Sequence, residues 1–196
     1  MTSRVGGCGQ EGEPAGAFHE AAIGLGANLG HPPALLYLAW QELQDHPDIL
    51  PLALSSLYFT QPVGMASEHG FANAAALVHT RLPPFRLLHL LQTIERRLGR
   101  LRDPQVRGYQ DRTLDLDLLF FDDLILAGDD LILPHPQLEH RLFVLIPLAE
   151  IARDRRHPRM GKSIGVLCAE CEKKYKNQGV EKIFREWWPP LAPQKT

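Results

Sequence analysis

From residue 113 to 121 the chain reads Thr-Leu-Asp-Leu-Asp-Leu-Leu-Phe-Phe, and this stretch restricts the backbone more than any other. Its period of two predicts a strand with Leu114, Leu116, Leu118 and Phe120 on one buried face and two carboxylates on the other. Aspartate is depleted in strand interiors, yet Asp115 and Asp117 share a face about 6–7 Å apart. Like charges that close demand a cation. Hard oxygen ligands without a thiolate suit Mg²⁺, which often takes one or two carboxylates and leaves its other positions to water and phosphate oxygens. The plainer alternative is a solvated sheet face.

The segments around this strand alternate in type. Residues 21–25 form a short apolar run that enters the turn 26–30, and Pro32-Pro33 opens a helix with Leu36, Ala39, Trp40 and Leu43 at helical spacing. Residues 52–60 and 71–80 read as strands, and a second amphipathic helix runs from Pro83-Pro84 to Gly99 with Leu87, Leu91, Ile94 and Leu98 on one face. Asp122-Asp123 and Gly128-Asp129-Asp130 are turn chemistry around a short pair of strands, and 144–152 closes as a helix. The order is βαββαβ. Consecutive strands without an intervening helix predict an α+β fold, with a mixed or antiparallel sheet and helices on its faces.

With 196 residues, 44% apolar and 22% charged, the chain has the size of one ordinary domain. Lys plus Arg number 21 against 23 for Asp plus Glu, so a formal charge of −2 offers no global positive field for nucleic acid or an anionic membrane. Apolar runs fall short of the roughly 20 residues that span a bilayer. Three cysteines without framework spacing suit a reducing compartment, and a cytoplasmic address is expected. Three segments are expected: a flexible Gly-, Glu- and Pro-rich arm over 1–19, the core domain over 20–157, and a helical extension over 158–196. In the extension, residues 162–188 are read as one or two helices. Ile164, Leu167, Ile183, Phe184, Trp187 and Trp188 are available to pack on the core or on a second subunit, and Cys168 and Cys171 are read as incidental helix-borne thiols.

Arg100, Arg102, Arg107 and Arg112 precede the aspartate strand and Arg141 follows it. Guanidinium forks bind phosphate oxygens bidentately, so together with the carboxylates they outline a nucleotide-phosphate site. His135, stiffened between Pro134 and Pro136, either points its imidazole toward a phosphate or is a surface-loop residue. Gly24, Gly26 and Gly30 are spaced G-x-G-x-x-x-G, with Leu29 where a dinucleotide fingerprint needs its third glycine, and are read as shaping a turn against the core. No phosphate-binding G-x-x-x-x-G-K-[ST] loop occurs.

Several motifs fall in a specific order: Ile23-Gly24-Leu25-Gly26-Ala27-Asn28-Leu29-Gly30, Ser55-Ser56-Leu57-Tyr58, Thr60-Gln61-Pro62-Val63-Gly64, Phe71-Ala72-Asn73-Ala74, Gln92-Thr93-Ile94-Glu95, Gly99-Arg100-Leu101-Arg102, Arg112-Thr113-Leu114-Asp115-Leu116-Asp117, and Pro134-His135-Pro136 before Arg141-Leu142-Phe143. Over residues 21–152 this set resembles the hydroxymethyldihydropterin pyrophosphokinase family of folate biosynthesis. The resemblance implies a ferredoxin-like fold and transfer of pyrophosphate from ATP, the co-substrate, to the hydroxymethyl group of 6-hydroxymethyl-7,8-dihydropterin, releasing AMP. It implies that Asp115 and Asp117 hold two Mg²⁺ ions and that Arg100, Arg102 and Arg112 engage the phosphates as catalytic residues. Gln92, Glu95, His135 and Arg141 would join Arg102 and Arg112 around the nucleotide. Asn73 would read the pterin's polar edge, Phe71 and Phe143 would stack on its faces, and Thr60, Gln61 and Val63 would supply backbone contacts.

Where many members have Trp-Gly-Pro before the position of Arg112, this chain has Tyr109-Gln110-Asp111. The loop between Arg100 and Asp111 is expected to close over the site. Two other readings compete: a nucleotide- or pterin-binding module that has lost turnover, and, on the glycine spacing, an NAD-dependent oxidoreductase. Small-molecule substrates, no nucleic acid or membrane partner, and a monomer or weak homodimer are expected.

Overall fold

The computed structural model describes residues 17–61, 69–100, 111–175, 179–183 and 188. In order, these give β1 (His19–Ala27), α1 (Pro32–Gln44), β2 (Ile49–Leu54), β3 (Leu57–Thr60), β4 (Phe71–Thr80), α2 (Pro84–Arg97) and β5 (Asp115–Phe121). The hairpin β6 (Leu126–Ala127) and β7 (Ile132–Leu133) follows, then α3 (Leu142–Ala152), α4 (Ile164–Lys174) and β8 (Val180–Ile183). Prolines start α1 and α2 because the first turn of a helix needs no N–H donor there. Gly99, at φ +91°, takes the chain out of α2. Ser163 caps α4 by accepting the Val166 N–H at 3.3 Å.

Apart from β6 and β7, which pair only with each other, the strands form one antiparallel sheet in the order β5-β1-β4-β3-β8, and β2 pairs with the remaining half of β4. The expected single strand over 52–60 is therefore two. Ser55 interrupts the main-chain ladder: its N–H donates to the Ala75 carbonyl at 2.8 Å, while its hydroxyl takes the Ala75 N–H at 2.9 Å. One sheet face is covered by α1 and α2, through Leu36, Trp40, Leu43, Leu87, Leu91 and Ile94. The other is covered by α3 and α4, through Leu142, Leu145, Leu148, Leu167, Cys168 and Cys171. The α+β architecture matches the expectation.

Two further expectations change. Leu114, Leu116 and Leu118 share the α1–α2 side, but the β1–β5 register shifts at Ala22/Ile23, and this bulge moves Phe120 into the opposite cluster. Residues 162–188 are not wholly helical: 164–174 form α4, whereas Val180–Ile183 extend the sheet as β8 along β3. The order apolar, charged, charged, apolar in Val-Glu-Lys-Ile does not alternate; pairing along β3, residue for residue from Leu57 opposite Ile183 to Thr60 opposite Val180, is what makes it a strand. Since α4 packs on α3 and β8 joins the sheet, both belong to the same layered unit as residues 19–157. Phe184 and Trp187 lie outside the described residues, as do 1–16 of the expected arm. Among the described residues no helix is long and apolar enough to cross a membrane.

Cys168 and Cys171 are free thiols inside the α3–α4 layer. Burial, reinforced by Glu172 and Cys171, pushes the Cys168 thiol up to about 11, and burial raises Cys171 as well. The reactive thiolate is therefore scarce at pH 8. In a Cys8→Ser variant, labelling by a thiol reagent at pH 8 is expected to follow global unfolding and to accelerate in mild denaturant. Fast labelling of the native protein at that pH would overturn this assignment.

Candidate active site

The sheet register brings the chemistry of separate segments onto one face. Asp115 lies opposite Gly26 and Asp117 opposite Gly24; Gly26 in turn lies opposite Asn73. Directly opposed residues share a face, so β5 supplies two carboxylates, β1 supplies a side-chain-free strip, and β4 supplies an amide. Gly24 and Gly26 therefore sit within a strand, not in the expected turn; of the three glycines only Gly30, at φ +72°, serves the turn. A Cβ on Gly26 would stand 3.6 Å from the Asn73 Oδ1, and one on Gly24 would stand 3.4 Å from Leu119. The sequence did carry this signal, because glycines at i and i+2 in a strand clear the same face.

Two clefts open from that face. The first, of about 160 Å³, lies between the sheet and the start of α3, with Thr60, Gln61, Phe71, Asn73 and Phe143 in its lining. The Asn73 amide donates to the Thr60 hydroxyl at 3.0 Å, which fixes its orientation although both residues are only 4% exposed. The second, of about 250 Å³, is polar and includes Gln92, Glu95, Arg100 and His135. Arg112, Asp115, Asp117 and Arg141 line both. The aspartates thus stand on the boundary between an aromatic cleft and a cationic one.

Charge balance on this boundary is specific. Asp115 receives Arg100 Nη1 at 2.6 Å and Arg112 Nη2 at 2.8 Å. Glu95, on α2, also pairs with Arg100 and accepts the Leu116 N–H at 2.7 Å. Its described contacts hold Arg100 and β5 in place, so Glu95 supports the cationic cleft from within the protein. For Asp117, burial and the Asp115 charge push the carboxyl upward, against the pull of His135, Arg112 and Arg100. Burial also lowers the Arg141 guanidinium from its ordinary value. The His135 ring takes the Gln137 N–H at its Nδ1, 3.1 Å away.

Asn28 was not singled out from the sequence. Its side-chain oxygen accepts the Arg112 N–H at 2.8 Å, its amide donates to Asp111 at 2.6 Å, and its own N–H donates to the Arg112 carbonyl at 3.1 Å. The turn after β1 therefore anchors the arginine that reaches Asp115. No periodicity announces such a residue; only its burial at a strand end does. Among the described residues no group of three or more His, Cys, Asp or Glu side chains could cage a metal ion. Two carboxylate groups on one face, one of them raised by burial and by its neighbour, do fit Mg²⁺, because that ion keeps waters and phosphate oxygens as its other ligands. Arg102, Arg107, Val63 and Tyr109, with the expected closing loop up to residue 110, lie outside the described residues.

The same stretch of chain is recognisable in other proteins. Residues 22–153 match the model of the family described as 7,8-dihydro-6-hydroxymethylpterin-pyrophosphokinase (HPPK). The 2-amino-4-hydroxy-6-hydroxymethyldihydropteridine pyrophosphokinase of Bacillus subtilis is 42% identical over 133 residues, covering 68% of this chain and 78% of that protein. Its counterpart in Pseudomonas aeruginosa is 37% identical over 161 residues, covering 82% and 94%. Among solved structures, the wild-type HPPK-DHPS of Plasmodium falciparum with pteroate superposes with a TM-score of 0.65 at 14% identity, over 82% of this chain. This chain spans 45% of that longer one. At such identity the likeness concerns the fold alone, which is the ferredoxin-like α+β arrangement seen here. The sequence matches carry the stronger statement: this chain belongs to the 7,8-dihydro-6-hydroxymethylpterin-pyrophosphokinase family, a family of enzymes.

Proposed function

We propose that this chain transfers the pyrophosphoryl group of ATP to the hydroxymethyl oxygen of 6-hydroxymethyl-7,8-dihydropterin, releasing AMP, as a step of folate biosynthesis. The observation that carries this reading is the pair of clefts meeting at Asp115 and Asp117. A transfer between two bound molecules needs an acceptor site and a donor site that touch at the reacting atoms. In this reading the acceptor hydroxyl oxygen bonds to the β-phosphorus and gives up its proton to solvent, the bond from that phosphorus to the oxygen bridging it to the α-phosphorus breaks, and AMP departs with that oxygen.

The aromatic cleft suits the pterin. Phe71 and Phe143 offer faces for stacking, and Asn73, held by Thr60, offers a fixed polar edge beside Gln61. Val63 completes this group in the proposal. The glycine strip leaves room for the ring to reach the aspartates. The cationic cleft suits a triphosphate: Arg100, Arg112, Arg141 and His135 present positive or hydrogen-bonding groups, with Arg102 assigned to the same task. Gln92 lines the nucleotide side, and Glu95 serves it by holding Arg100. Asp115 and Asp117 would hold the two Mg²⁺ ions, which supply charge neutralisation and alignment of the phosphates. A cytoplasmic address and a monomeric or weakly dimeric state complete the proposal. The first is supported by free described thiols and the second by both sheet faces being covered within one chain.

The dinucleotide reading loses its premise, since Gly24 and Gly26 lie inside β1 and not at a strand-to-helix turn. The reading as a binding module without turnover rests on residues 103–111, nearly all of them outside the described set.

Incubation with ATP, Mg²⁺ and hydroxymethyldihydropterin is expected to release AMP only when all three are present, and excess chelator should stop it. AMP release independent of the pterin, or none while the pterin binds, would reject the reaction. Asp115→Asn is expected to lower turnover at least about 100-fold with the fold retained by circular dichroism. Near-normal turnover would remove Asp115 from the metal site. Gly26→Val puts a branched side chain on the strip beside Asn73 and is expected to raise the pterin KM by about tenfold while the ATP KM holds. An equal rise in both would place the glycine outside the acceptor cleft.

A further inference from the structure

We infer that Glu150 is a positioning residue that sets the spacing between the two walls of the aromatic cleft, and that the C-terminal strand β8 is part of this device. Glu150 stands on α3 seven residues beyond Phe143, about 10 Å along the helix. Its Oε2 accepts the Ser56 N–H at 2.8 Å and the Tyr58 hydroxyl at 3.0 Å. Its Oε1 accepts the Ser56 hydroxyl at 2.7 Å and the Lys182 ammonium at 2.9 Å. One carboxylate thus gathers four donors from the β2–β3 break, from β3 and from β8, and ties all of them to the helix that carries Phe143.

The far side of the tie reaches the site through the sheet. Asp115, Gly26, Asn73, Tyr58 and Lys182 lie side by side across β5, β1, β4, β3 and β8. Tyr58, held by Glu150, is the direct neighbour of Asn73, and Thr60, two residues on, orients the Asn73 amide. From the opposite face, the Trp188 indole N–H donates to the Ser55 carbonyl at 2.9 Å and steadies the same break. Apolar contacts of Leu145 and Leu148 already dock α3 but allow sliding, whereas four directed bonds fix its height. Burial favours the neutral acid at Glu150, but Lys182, Ser56 and Tyr58 outweigh it and hold the carboxyl below its ordinary range. Burial and the Glu150 charge push the Tyr58 phenol up, so it stays a donor.

Spacing matters because a flat ring between Phe71 and Phe143 needs about 7 Å between ring planes, two contacts of roughly 3.5 Å. A gap wider by 0.5–1 Å forfeits about a quarter to a half of the dispersion energy. Glu150 is too far along α3 to be one of the cleft's lining residues, so its effect falls on acceptor affinity and not on the transfer step.

This inference rests on the pterin reading of the cleft, and its test separates the two. Glu150→Ala is expected to raise the pterin Kd, followed by pterin fluorescence, and the pterin KM by about tenfold, while kcat and the ATP KM move less than about twofold. Glu150→Gln, which keeps an acceptor oxygen, should recover much of the loss, and Lys182→Met should reproduce part of it. Leu43→Ala, buried in α1 under the other face, controls for lost stability: it should lower the Tm and leave the pterin KM alone. Equal shifts for both substrates, or a pterin effect in Leu43→Ala matching that of Glu150→Ala, would overturn the positioning role. If the wild type neither binds the pterin nor makes AMP, the functional reading fails, and hydrogen exchange decides the positioning role. Faster exchange at 57–61 and 142–146 in Glu150→Ala, with 115–121 unchanged, supports the clamp; unchanged exchange at 57–61 and 142–146 rejects it.

Discussion

Two carboxylates cannot share one face of a buried strand without positive charge at hand, and much of the site is organised around meeting that demand. Arg100 and Arg112 both reach Asp115, and neither arrives alone. Arg100 is held by Glu95, which also fastens the β5 backbone at Leu116, so α2 and β5 are joined by the same group that steers the guanidinium. Arg112 is held by Asn28 at the end of β1. Buried ion pairs are weak sources of stability, since desolvation offsets much of their attraction. Here the network contributes a fixed place for charge more than it contributes stability.

The sheet can carry such a site because its two faces are used differently. Under α1 and α2 the inward positions are mostly apolar, with Thr80 and Glu95 the buried exceptions, and this side holds the larger core. On the other face the α3–α4 layer covers Ala22, Ala75 and Phe120, while the end bearing Gly24, Gly26, Asn73 and Asp115 remains as clefts. Small residues on β1 make the difference: an apolar side chain at Gly24 or Gly26 would extend the packed layer across the site. The β5 bulge serves the same division, since it turns Phe120 toward α3 and α4 while leaving both aspartates on the cleft face.

Asp115 and Asp117 are the same residue type in two environments. Asp115 is met by two guanidiniums at hydrogen-bond distance. Asp117 feels its charges at longer range, and burial with the Asp115 charge outweighs them, leaving its carboxyl above the ordinary range. The pair is thus polarised before any ligand arrives, with its less compensated member opposite Gly24, where no side chain stands in front of it.

What could be read from the sequence follows from the range over which each signal acts. Helix starts at proline, the β5 alternation as far as Leu118 and the shared face of the two aspartates are local, decided within a few residues, and they hold in the structure. The split at Ser55 was hidden because it depends on Ala75, twenty residues on, and the turn of Phe120 depends on the register with β1. Glu95 looked like a nucleotide contact because it lies on the helix lining that cleft; its tie to Leu116 exists only once α2 lies against β5. The tail shows the same limit most sharply. Val-Glu-Lys-Ile is too short to choose helix or strand by its own propensity, and it becomes a strand because β3 presents an open edge, with Tyr58 opposite Lys182 and the Glu150 carboxylate of α3 within reach of its ammonium. A local pattern proposes an element, and the partner across the sheet decides which face, which register and which charge that element keeps.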